Sequence, residues 1–161
     1  MTLRTQFLDA MSGLVSSVNI VTTDGPAAGR AGATVSAMTS VSADGDAPTL
    51  LVCLHHEASA APAILENRCF CVNVLAADQA EIANVFAGRA PSGGDKFSVA
   101  AFNILTTGAP ALSSALASFD CTLLSDERIG THHVMIGAVR QISKAEGTPL
   151  LYGNRGYQTL A

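Results

Sequence analysis

The sequence predicts a mainly β protein of the α+β class, built as a Greek-key β-barrel with flanking helices. Short segments rich in β-branched and apolar residues recur along the 161 residues, and turn signals of glycine, proline and aspartate separate them. About three segments have helical spacing, and they do not alternate with the strands as a doubly wound fold requires. About seven strands are predicted, without a repeat or a linker, in a single domain spanning residues 1–161.

The charge balance argues against a nucleic-acid partner. The formal net charge is −4 and only 14% of the residues are charged, so no basic surface is expected to gather phosphate backbones. So low a charged fraction favours a homo-oligomer, in which apolar surface is covered between copies. The first residues lack the pattern of a signal peptide, and no apolar run reaches the ~18 residues of a membrane span, so we expect a cytoplasmic protein without membrane contact.

Helices are predicted from apolar spacing and capping signals. Residues 4–15 carry an amphipathic stripe, and a short helix runs from Ser59, as its N-cap, to Glu66. Asp78 and Glu81 form a capping-box pattern that starts a third helix, and a loop is expected at residues 88–94.

The strands are predicted from runs of β-branched and apolar residues. They span residues 18–23, 30–37, 49–54, 69–75, 115–123, 131–142 and 148–152, and a last short strand ends at Leu160. The run 49–54 is apolar enough to indicate burial on both faces. Asp120 lies on the polar face of its strand, so we expect it to be exposed to solvent.

No metal centre is expected. His132 and His133 are neighbours in a strand and point to opposite faces, so they cannot share one metal ion. His55 and His56 are interpreted as loop residues without ligand spacing. Each cysteine lies in an apolar run, which is typical of buried free thiols in a reducing cytoplasm; the four are Cys53, Cys69, Cys71 and Cys121.

Residues 29–42 form the stretch with the clearest capacity to bind a ligand. Small residues leave the backbone N–H groups accessible, and five hydroxyls fall within nine residues: Thr34, Ser36, Thr39, Ser40 and Ser42. Clustered N–H groups and hydroxyls can hold an anion such as phosphate without arginines. The alternative interpretation is a polar turn between two strands.

Two further features are open to either a binding or a structural interpretation. His132 can line a pocket or serve as a hydrogen-bonded structural residue. Near the C-terminus, Tyr152, Arg155 and Tyr157 offer planar groups that can stack on a purine or nicotinamide ring. They can equally belong to a hairpin whose aromatic rings pack on the barrel.

Four blocks, taken in order, resemble a known family more specifically than any single motif does. They are residues 9–11 with 18–23; 39–42 with 48–54; 70–75 with 86–88 and 95–97; and 130–133 with 137, 149–152 and 155–157. Together these blocks are similar to the flavin reductase-like domain, specifically the small reductase component of two-component flavin-dependent monooxygenases such as 4-hydroxyphenylacetate 3-monooxygenase. The resemblance covers nearly the whole chain.

The resemblance implies a split Greek-key barrel of the flavin-reductase type that forms a homodimer, with FMN or FAD at the dimer-related edge. His132 would position the nicotinamide nucleotide, and Arg155 and Tyr157 would help to hold it. The residues implied to bind the flavin are Thr34, Val35, Ser36, Ala37, Met38, Thr39, Ser40, Ser42, Cys53, Ser59, Ala87, Gly88 and Lys96.

The implied activity is that of an NAD(P)H:flavin oxidoreductase. A hydride passes from NADH, or from NADPH, to the flavin, and reduced flavin then diffuses to a separate flavin-dependent monooxygenase. Two alternatives stay open: a flavoprotein that holds its flavin tightly and reduces another small acceptor such as a corrinoid, and a non-enzymatic flavin or haem binder. The sequence departs from the family pattern at Ala60 and Ala61, where the family often has threonine and histidine. The side-chain donors that those two residues would offer to the flavin are therefore missing.

Overall fold

The computed structural model describes residues 1–89 and 94–161. The predicted loop at 88–94 lies in part outside these described residues. The elements in chain order are α1 (Leu3–Ser12), β1 (Ser16–Ser17), β2 (Asn19–Thr23), β3 (Ala31–Val35), β4 (Met38–Ser42), β5 (Thr49–His55), α2 (Ala60–Asn67), β6 (Cys69–Val74), α3 (Ala80–Phe86), a 3-10 turn (Lys96–Val99), β7 (Phe102–Ile104), β8 (Pro110–Leu112), β9 (Ala117–Ile129), β10 (His132–Lys144), β11 (Leu151–Gly153) and β12 (Gly156–Gln158).

Seven of these strands form one antiparallel sheet in the order β3-β2-β6-β9-β10-β5-β4. The two edge strands, β3 and β4, follow each other in the chain with only Ser36 and Ala37 between them. The sheet must therefore curl until its edges meet at this corner, where the Ala37 carbonyl accepts a hydrogen bond from the Cys53 N–H at 3.0 Å. Within the described residues β3 and β4 share no ladder, so the barrel is split along this seam, as predicted.

The curled sheet has an apolar cluster on each face. Side chains alternate between the two faces along β2, so this strand contributes to both clusters. Val21 packs inside the barrel and Ile20 packs outside it. The inner cluster includes Phe70 and Met135, with α2 packed against it. The outer cluster joins α3, the 3-10 turn and the C-terminal strands around Phe86. These two layers hold β3 and α3 side by side.

Two helix predictions need correction. The first helix ends at Ser12 rather than residue 15, and no residue of α1 is buried, so its apolar stripe does not pack on the core. The third helix does not start at an Asp78 cap, because the N-cap position is Gln79 and it makes no side-chain capping bond. The Gln79 side chain instead accepts from the Ala76 N–H and donates to the Ser114 carbonyl.

The strands near the seam also differ from the prediction. Residues 38–42 form a separate edge strand, β4, that the sequence did not distinguish from the strand before it. β5 is buried on one face only, with its outward residues Leu51 and Cys53 half-exposed. His55, predicted in a loop, is the last residue of this strand and lies opposite His132 of β10.

The prediction that Asp120 is exposed is wrong. This residue is fully buried, and its carboxylate accepts hydrogen bonds from the backbone N–H groups of Thr106 and Thr107 at 2.7 and 2.8 Å. The loop before β8 covers the polar face of β9 and supplies these donors, which compensates a carboxylate removed from water. A strand pattern alone does not reveal such a covering loop.

The remaining boundaries shift by a few residues. β9 and β10 are longer than predicted, and they form a hairpin of two 13-residue strands. The region 95–116, for which the sequence predicted little, contains the 3-10 turn and the β7–β8 pair. Within the described ranges, no helix is long and apolar enough to cross a membrane.

Candidate functional site

A groove runs along the edge strand β3, between this strand and the C-terminal end of α3. It consists of two cavities of about 300 Å³ and 160 Å³ that share Thr34 and Ala87 as lining residues. We define the groove by its lining residues, which are 18, 32–36, 58–59, 86–89, 96, 152 and 157.

Close packing of α3 against β3 forms one wall of the groove. Gly32 makes this approach possible, since a Cβ atom at this position would lie 2.7 Å from the Phe86 ring. Two residues further on, the Thr34 hydroxyl donates to the Ala83 carbonyl at 2.6 Å. These two contacts fix Ala87 and Gly88, which follow the helix, beside the strand.

The floor of the groove carries the outward-facing backbone groups of the edge strand β3. The Gly32 carbonyl faces the groove, because it accepts a hydrogen bond from Lys96 Nζ at 2.9 Å. Alternate residues of a strand present their N–H and C=O groups on the same edge, so the Thr34 backbone points the same way. Among the residues that the structure describes, β3 has a ladder partner on one side only, so the Thr34 N–H faces the groove and can donate to a ligand.

The groove is electropositive. Lys96 and Arg89 both line it, and none of its described lining residues is aspartate or glutamate. Burial lowers the pKa of the Lys96 ammonium from its ordinary value, and an anion beside it would raise that pKa again. Cations and free N–H groups without competing carboxylates suit a phosphate-bearing ligand.

Comparison with known proteins identifies the family. Residues 11–161 match the model of the flavin reductase like domain. The chain belongs to this family. The FMN reductase (NADH) RutF 2 of Methylorubrum extorquens (strain PA1) is 45% identical over 155 residues, which cover 96% of this chain and 88% of that protein. The family predicted from the sequence is thus confirmed.

Solved structures support the same assignment. A putative flavin reductase from Haemophilus somnus 129PT superimposes with a TM-score of 0.89 and 39% identity, covering 99% of this chain and 100% of that chain. BorF, the flavin reductase component of a bacterial two-component tryptophan halogenase, superimposes with a TM-score of 0.85 and 29% identity, covering 98% of each chain. The predicted fold class is confirmed by these likenesses.

The groove of this flavin reductase-like domain contains eight of the residues predicted to bind flavin or nucleotide. They come from β3, the start of α2, the end of α3, the 3-10 turn and β12: Thr34, Val35, Ser36, Ser59, Ala87, Gly88, Lys96 and Tyr157. Ser59 occupies the N-cap position of α2 but makes no side-chain capping bond. Its hydroxyl is exposed and does not cap the helix.

The second half of the hydroxyl stretch lies elsewhere. Met38, Ser40 and Ser42 line a separate, mainly apolar cavity of about 320 Å³ between β4 and β10. Thr39 is exposed on β4, and Ala37 forms the corner of the split barrel. The structure therefore divides the stretch at this corner and places only its first part in the groove.

Cys53 lies on the outward face of β5, opposite Val134. It is half-buried, whereas the other three cysteines are buried, and all four are free thiols. Burial raises the pKa of the Cys53 thiol from its ordinary value. A thiol held in its neutral form is a weak nucleophile, so its contribution to a site would be contact rather than chemistry.

The histidines gather at the end of the β5–β10 ladder, outside the groove. The exposed His132 ring lies 5.1 Å from the His55 ring, measured between centroids, and its Nδ1 is 2.9 Å from the Thr131 hydroxyl. His133, on the opposite face as predicted, approaches Asp126 at 3.0 Å. In the part of the chain that the structure describes, no three ligating side chains are arranged to hold a metal.

Arg155 lies beside the groove rather than in its lining, in an adjoining cavity that shares Ser36 and Tyr152 with it. It adopts a left-handed backbone conformation with a φ of 58° in the turn between β11 and β12. Its guanidinium is exposed and lies 3.8 Å from the Asp9 carboxylate of α1. The structure thus pairs Arg155 with the N-terminal helix, while Tyr157 of the same segment lines the groove.

Sequence reasoning assigned no ligand contact to seven of the lining residues, and three of these matter most for the charge and shape of the groove: Gly32, Phe86 and Arg89. Arg89 had a detectable signal, because it directly follows the Ala-Gly pair that was assigned to the ligand. Gly32 and Phe86 had no local signal, since their close contact joins positions 54 residues apart. Ala60 and Ala61 are both fully buried in the barrel core, so these positions direct their side chains into the protein.

Proposed function

We propose that this protein is a flavin reductase that transfers a hydride from NADH to FMN and releases reduced FMN. FMN and NADH are chosen over FAD and NADPH because RutF 2, at 45% identity, is named an FMN reductase (NADH). The observation that carries the proposal is the groove, where Lys96, Arg89 and the free edge of β3 meet beside apolar walls.

The groove fits a flat ring that bears a phosphate. The half-buried rings of Tyr152 and Tyr157 provide apolar surface for the ring, and Lys96 supplies a partly buried positive charge for the phosphate. The Thr34 N–H can donate to the ring edge or the ribityl chain. Each of these groups belongs to an element held by core packing, so the site is preformed.

Bound FMN supplies the redox chemistry, since its ring accepts the hydride that NADH donates. The chain's own residues then need to bind, orient and exclude water rather than transfer protons. Lys96 and Arg89 neutralise phosphate charge, and the backbone of β3 fixes the ring by hydrogen bonds. A groove without carboxylates among its described lining residues agrees with a reaction that needs no general base.

The remaining predicted contacts are part of the proposal. His132 orients the nicotinamide nucleotide, and Arg155 assists from the C-terminal turn. Six further residues complete the flavin contacts outside the groove. They lie at the corner between β3 and β4, on β4 itself and on β5: Ala37, Met38, Thr39, Ser40, Ser42 and Cys53.

A separate oxygenase is the proposed recipient of the reduced flavin. BorF, a structural neighbour, is the flavin reductase component of a two-component halogenase. The groove is open to solvent along one side, as its exposed residues Ser36, Ala87 and Arg89 indicate. Such a site supports release of the product, which a diffusible electron carrier requires.

The proposal further includes one domain over residues 1–161, a homodimer and a cytoplasmic location. Homodimer formation is supported by the apolar stripe of α1, where Phe7 is 62% exposed and Leu14, just beyond the helix, is 58% exposed. The four free thiols support a reducing compartment.

The proposal is tested by NADH oxidation with FMN, with FAD and without added flavin. We expect rapid oxidation with FMN, slower oxidation with FAD and only background without flavin. A purified protein that is yellow and turns over free flavin poorly would instead indicate a tightly bound flavin with another acceptor. No NADH oxidation with either flavin would exclude reductase activity and leave a flavin-binding role.

A further inference from the structure

A single side-chain hydrogen bond ties the C-terminal hairpin to α3 beside the groove. The hydroxyl of Tyr157, in β12, donates to Asn84 Oδ1 at 2.7 Å. The Tyr157 ring is held from its other side by Tyr152, whose ring meets it edge-on with centroids 5.6 Å apart. Both rings belong to the outer apolar cluster, so the Tyr157 hydroxyl has little freedom to move away from Asn84.

Asn84 also closes the turn that ends α3. Its backbone carbonyl accepts from the Arg89 N–H at 2.9 Å, and the Gly88 N–H bonds to the Val85 carbonyl at 3.1 Å. Gly88 has a φ of 75°, the left-handed conformation that lets a helix end in this way. Asn84 therefore holds the turn with its main chain and holds Tyr157 with its side chain.

This turn carries a substantial part of the groove wall. Ala87, Gly88 and Arg89 all line the groove, and they follow the last residue of α3 directly. A helix end with exposed backbone frays readily unless a tertiary contact restrains it. The Tyr157 hydroxyl provides such a contact from a different part of the chain.

We propose that Tyr157 is a positioning residue, which acts through Asn84 to hold the turn that presents Ala87, Gly88 and Arg89 to a phosphate-bearing nucleotide in the groove. The inference rests on the proposed function and deepens it. A tyrosine hydroxyl has one proton to donate, and here that proton is committed to Asn84. The side chain thus restrains the wall rather than donating to the ligand.

The test compares Tyr157→Phe, Asn84→Ala and the double variant. We expect each single variant to weaken FMN binding about fivefold, the usual effect of losing one hydrogen bond. The double variant should be no weaker than either single one, because both changes remove the same bond. FMN affinity is measured by quenching of flavin fluorescence, and the KM for NADH is measured separately to identify which nucleotide depends on the turn.

Thr106→Val is the matched control. It removes a side-chain hydrogen bond of the same length, 2.7 Å to Gln141, at an exposed position outside the groove. We expect wild-type FMN affinity for this variant. Melting temperatures of all variants separate a change of the groove from a loss of stability, and in Asn84→Ala the higher helix propensity of alanine offsets part of the stability lost with the hydrogen bond.

Three results would overturn the inference. A loss of affinity in Tyr157→Phe but not in Asn84→Ala would mean that the hydroxyl contacts the nucleotide directly. Additive losses in the double variant would mean that the two side chains act independently. Wild-type FMN affinity in all variants would mean that the turn keeps its position without the Tyr157–Asn84 hydrogen bond. A wild-type protein that binds FMN but does not oxidise NADH would refute the reductase proposal while leaving the affinity comparison intact.

Discussion

At the scale of single residues, Lys96 has the environment that most directly determines ligand choice. Its ammonium is partly buried between the Gly32 carbonyl, 2.9 Å away, and the Phe86 ring, 5.6 Å away. Among the described residues the ammonium donates to this one carbonyl, so further N–H groups can donate to a ligand. In the proposed function, such a charge would favour ligands that carry a phosphate.

We predict that Lys96→Gln weakens FMN binding about tenfold, because a charge-assisted hydrogen bond to phosphate is lost. Riboflavin has the same ring but no phosphate, so its affinity should stay near that of the wild type. Fluorescence titration with both ligands measures the difference. An equal loss for FMN and riboflavin would show that Lys96 supports the ring rather than the phosphate.

His132 differs from Lys96 in lying outside the groove, on the exposed end of β10. We predict that His132→Ala slows flavin reduction by NADH about tenfold or more and leaves binding of oxidised FMN largely intact. Stopped-flow reduction and fluorescence titration give the two quantities. His133→Ala, on the other face of the strand, is the control, and unchanged reduction in His132→Ala would refute the assignment.

The family resemblance, rather than local chemistry, pointed to the Ala-Gly pair after α3 and to the lysine of the Asp-Lys-Phe block. These residues line one groove in the structure, and their part in ligand binding stays a prediction. Asp120 failed because its donors come from Thr106 and Thr107 in a separate loop. Gly32 was missed as a contact residue for the same reason, since its partner Phe86 is distant in the chain.

At the scale of elements, the contact between α3 and β3 determines the width of the groove. It depends on the missing side chain of Gly32, where a Cβ would lie 2.7 Å from the Phe86 ring and 3.3 Å from the Val21 carbonyl. The backbone carbonyl cannot yield, and the ring is buried at 2% exposure. A side chain here must push α3 away from the strand.

We predict that Gly32→Ala destabilises the protein by about 1–3 kcal/mol, the usual cost of overpacking a core contact. It should also weaken FMN binding, because Ala87 and Gly88 would move with the helix. Gly13→Ala is the control, since a Cβ atom there would lie at an ordinary 3.5 Å from the Ala10 carbonyl oxygen. Denaturant unfolding and FMN titration measure both effects, and wild-type stability for Gly32→Ala would contradict the packing argument.

A strand or helix could be located from the sequence only where its own residues indicate it, without help from a distant partner. The β2 and β6 strands were located within about a residue because their apolar, β-branched runs are unambiguous. β4 was missed because its small and hydroxyl-bearing residues form a strand only by pairing with β5. The start of α3 was misplaced because Gln79 bonds to Ala76 and Ser114 instead of capping the helix.

At the scale of the whole molecule, the uncovered apolar surface at the N-terminus is the main feature not explained by one chain. α1 has no buried residue, and large apolar side chains on it are exposed, among them Leu3, Phe7, Leu8 and Met11. An amphipathic helix is stabilised chiefly by packing of its apolar face. A second copy of the chain supplies that packing in the proposed homodimer.

We predict that Phe7→Glu raises the dimer dissociation constant at least about tenfold, because a charge would enter an apolar contact. Ile104→Glu is the control, since Ile104 on β7 is 59% exposed, close to the 62% of Phe7, and lies outside α1. Light scattering over a dilution series measures the oligomeric state. A wild-type protein that is monomeric at all concentrations would contradict the proposal.

The global architecture was predictable because its evidence is spread along the chain. Strand runs without βα alternation indicated a barrel, and the order of the four blocks along the chain indicated the family. The split of the hydroxyl stretch was not predictable, because it depends on where the curled sheet brings its edges together. Residues 34–36 fall on the groove side of that corner and residues 38–42 on the other.

The two-residue link between β3 and β4 also limits how the barrel can deform. Three residue steps separate Val35 from Met38, and a fully extended chain of that length spans no more than about 11 Å. The edge strands β3 and β4 are therefore held close together at this link, and they cannot separate there to admit or release a ligand. Since the Thr34–Ala83 hydrogen bond and the Gly32–Phe86 contact hold α3 against β3 as well, a ligand has to enter and leave through the exposed side of the groove, at Ser36, Ala87 and Arg89.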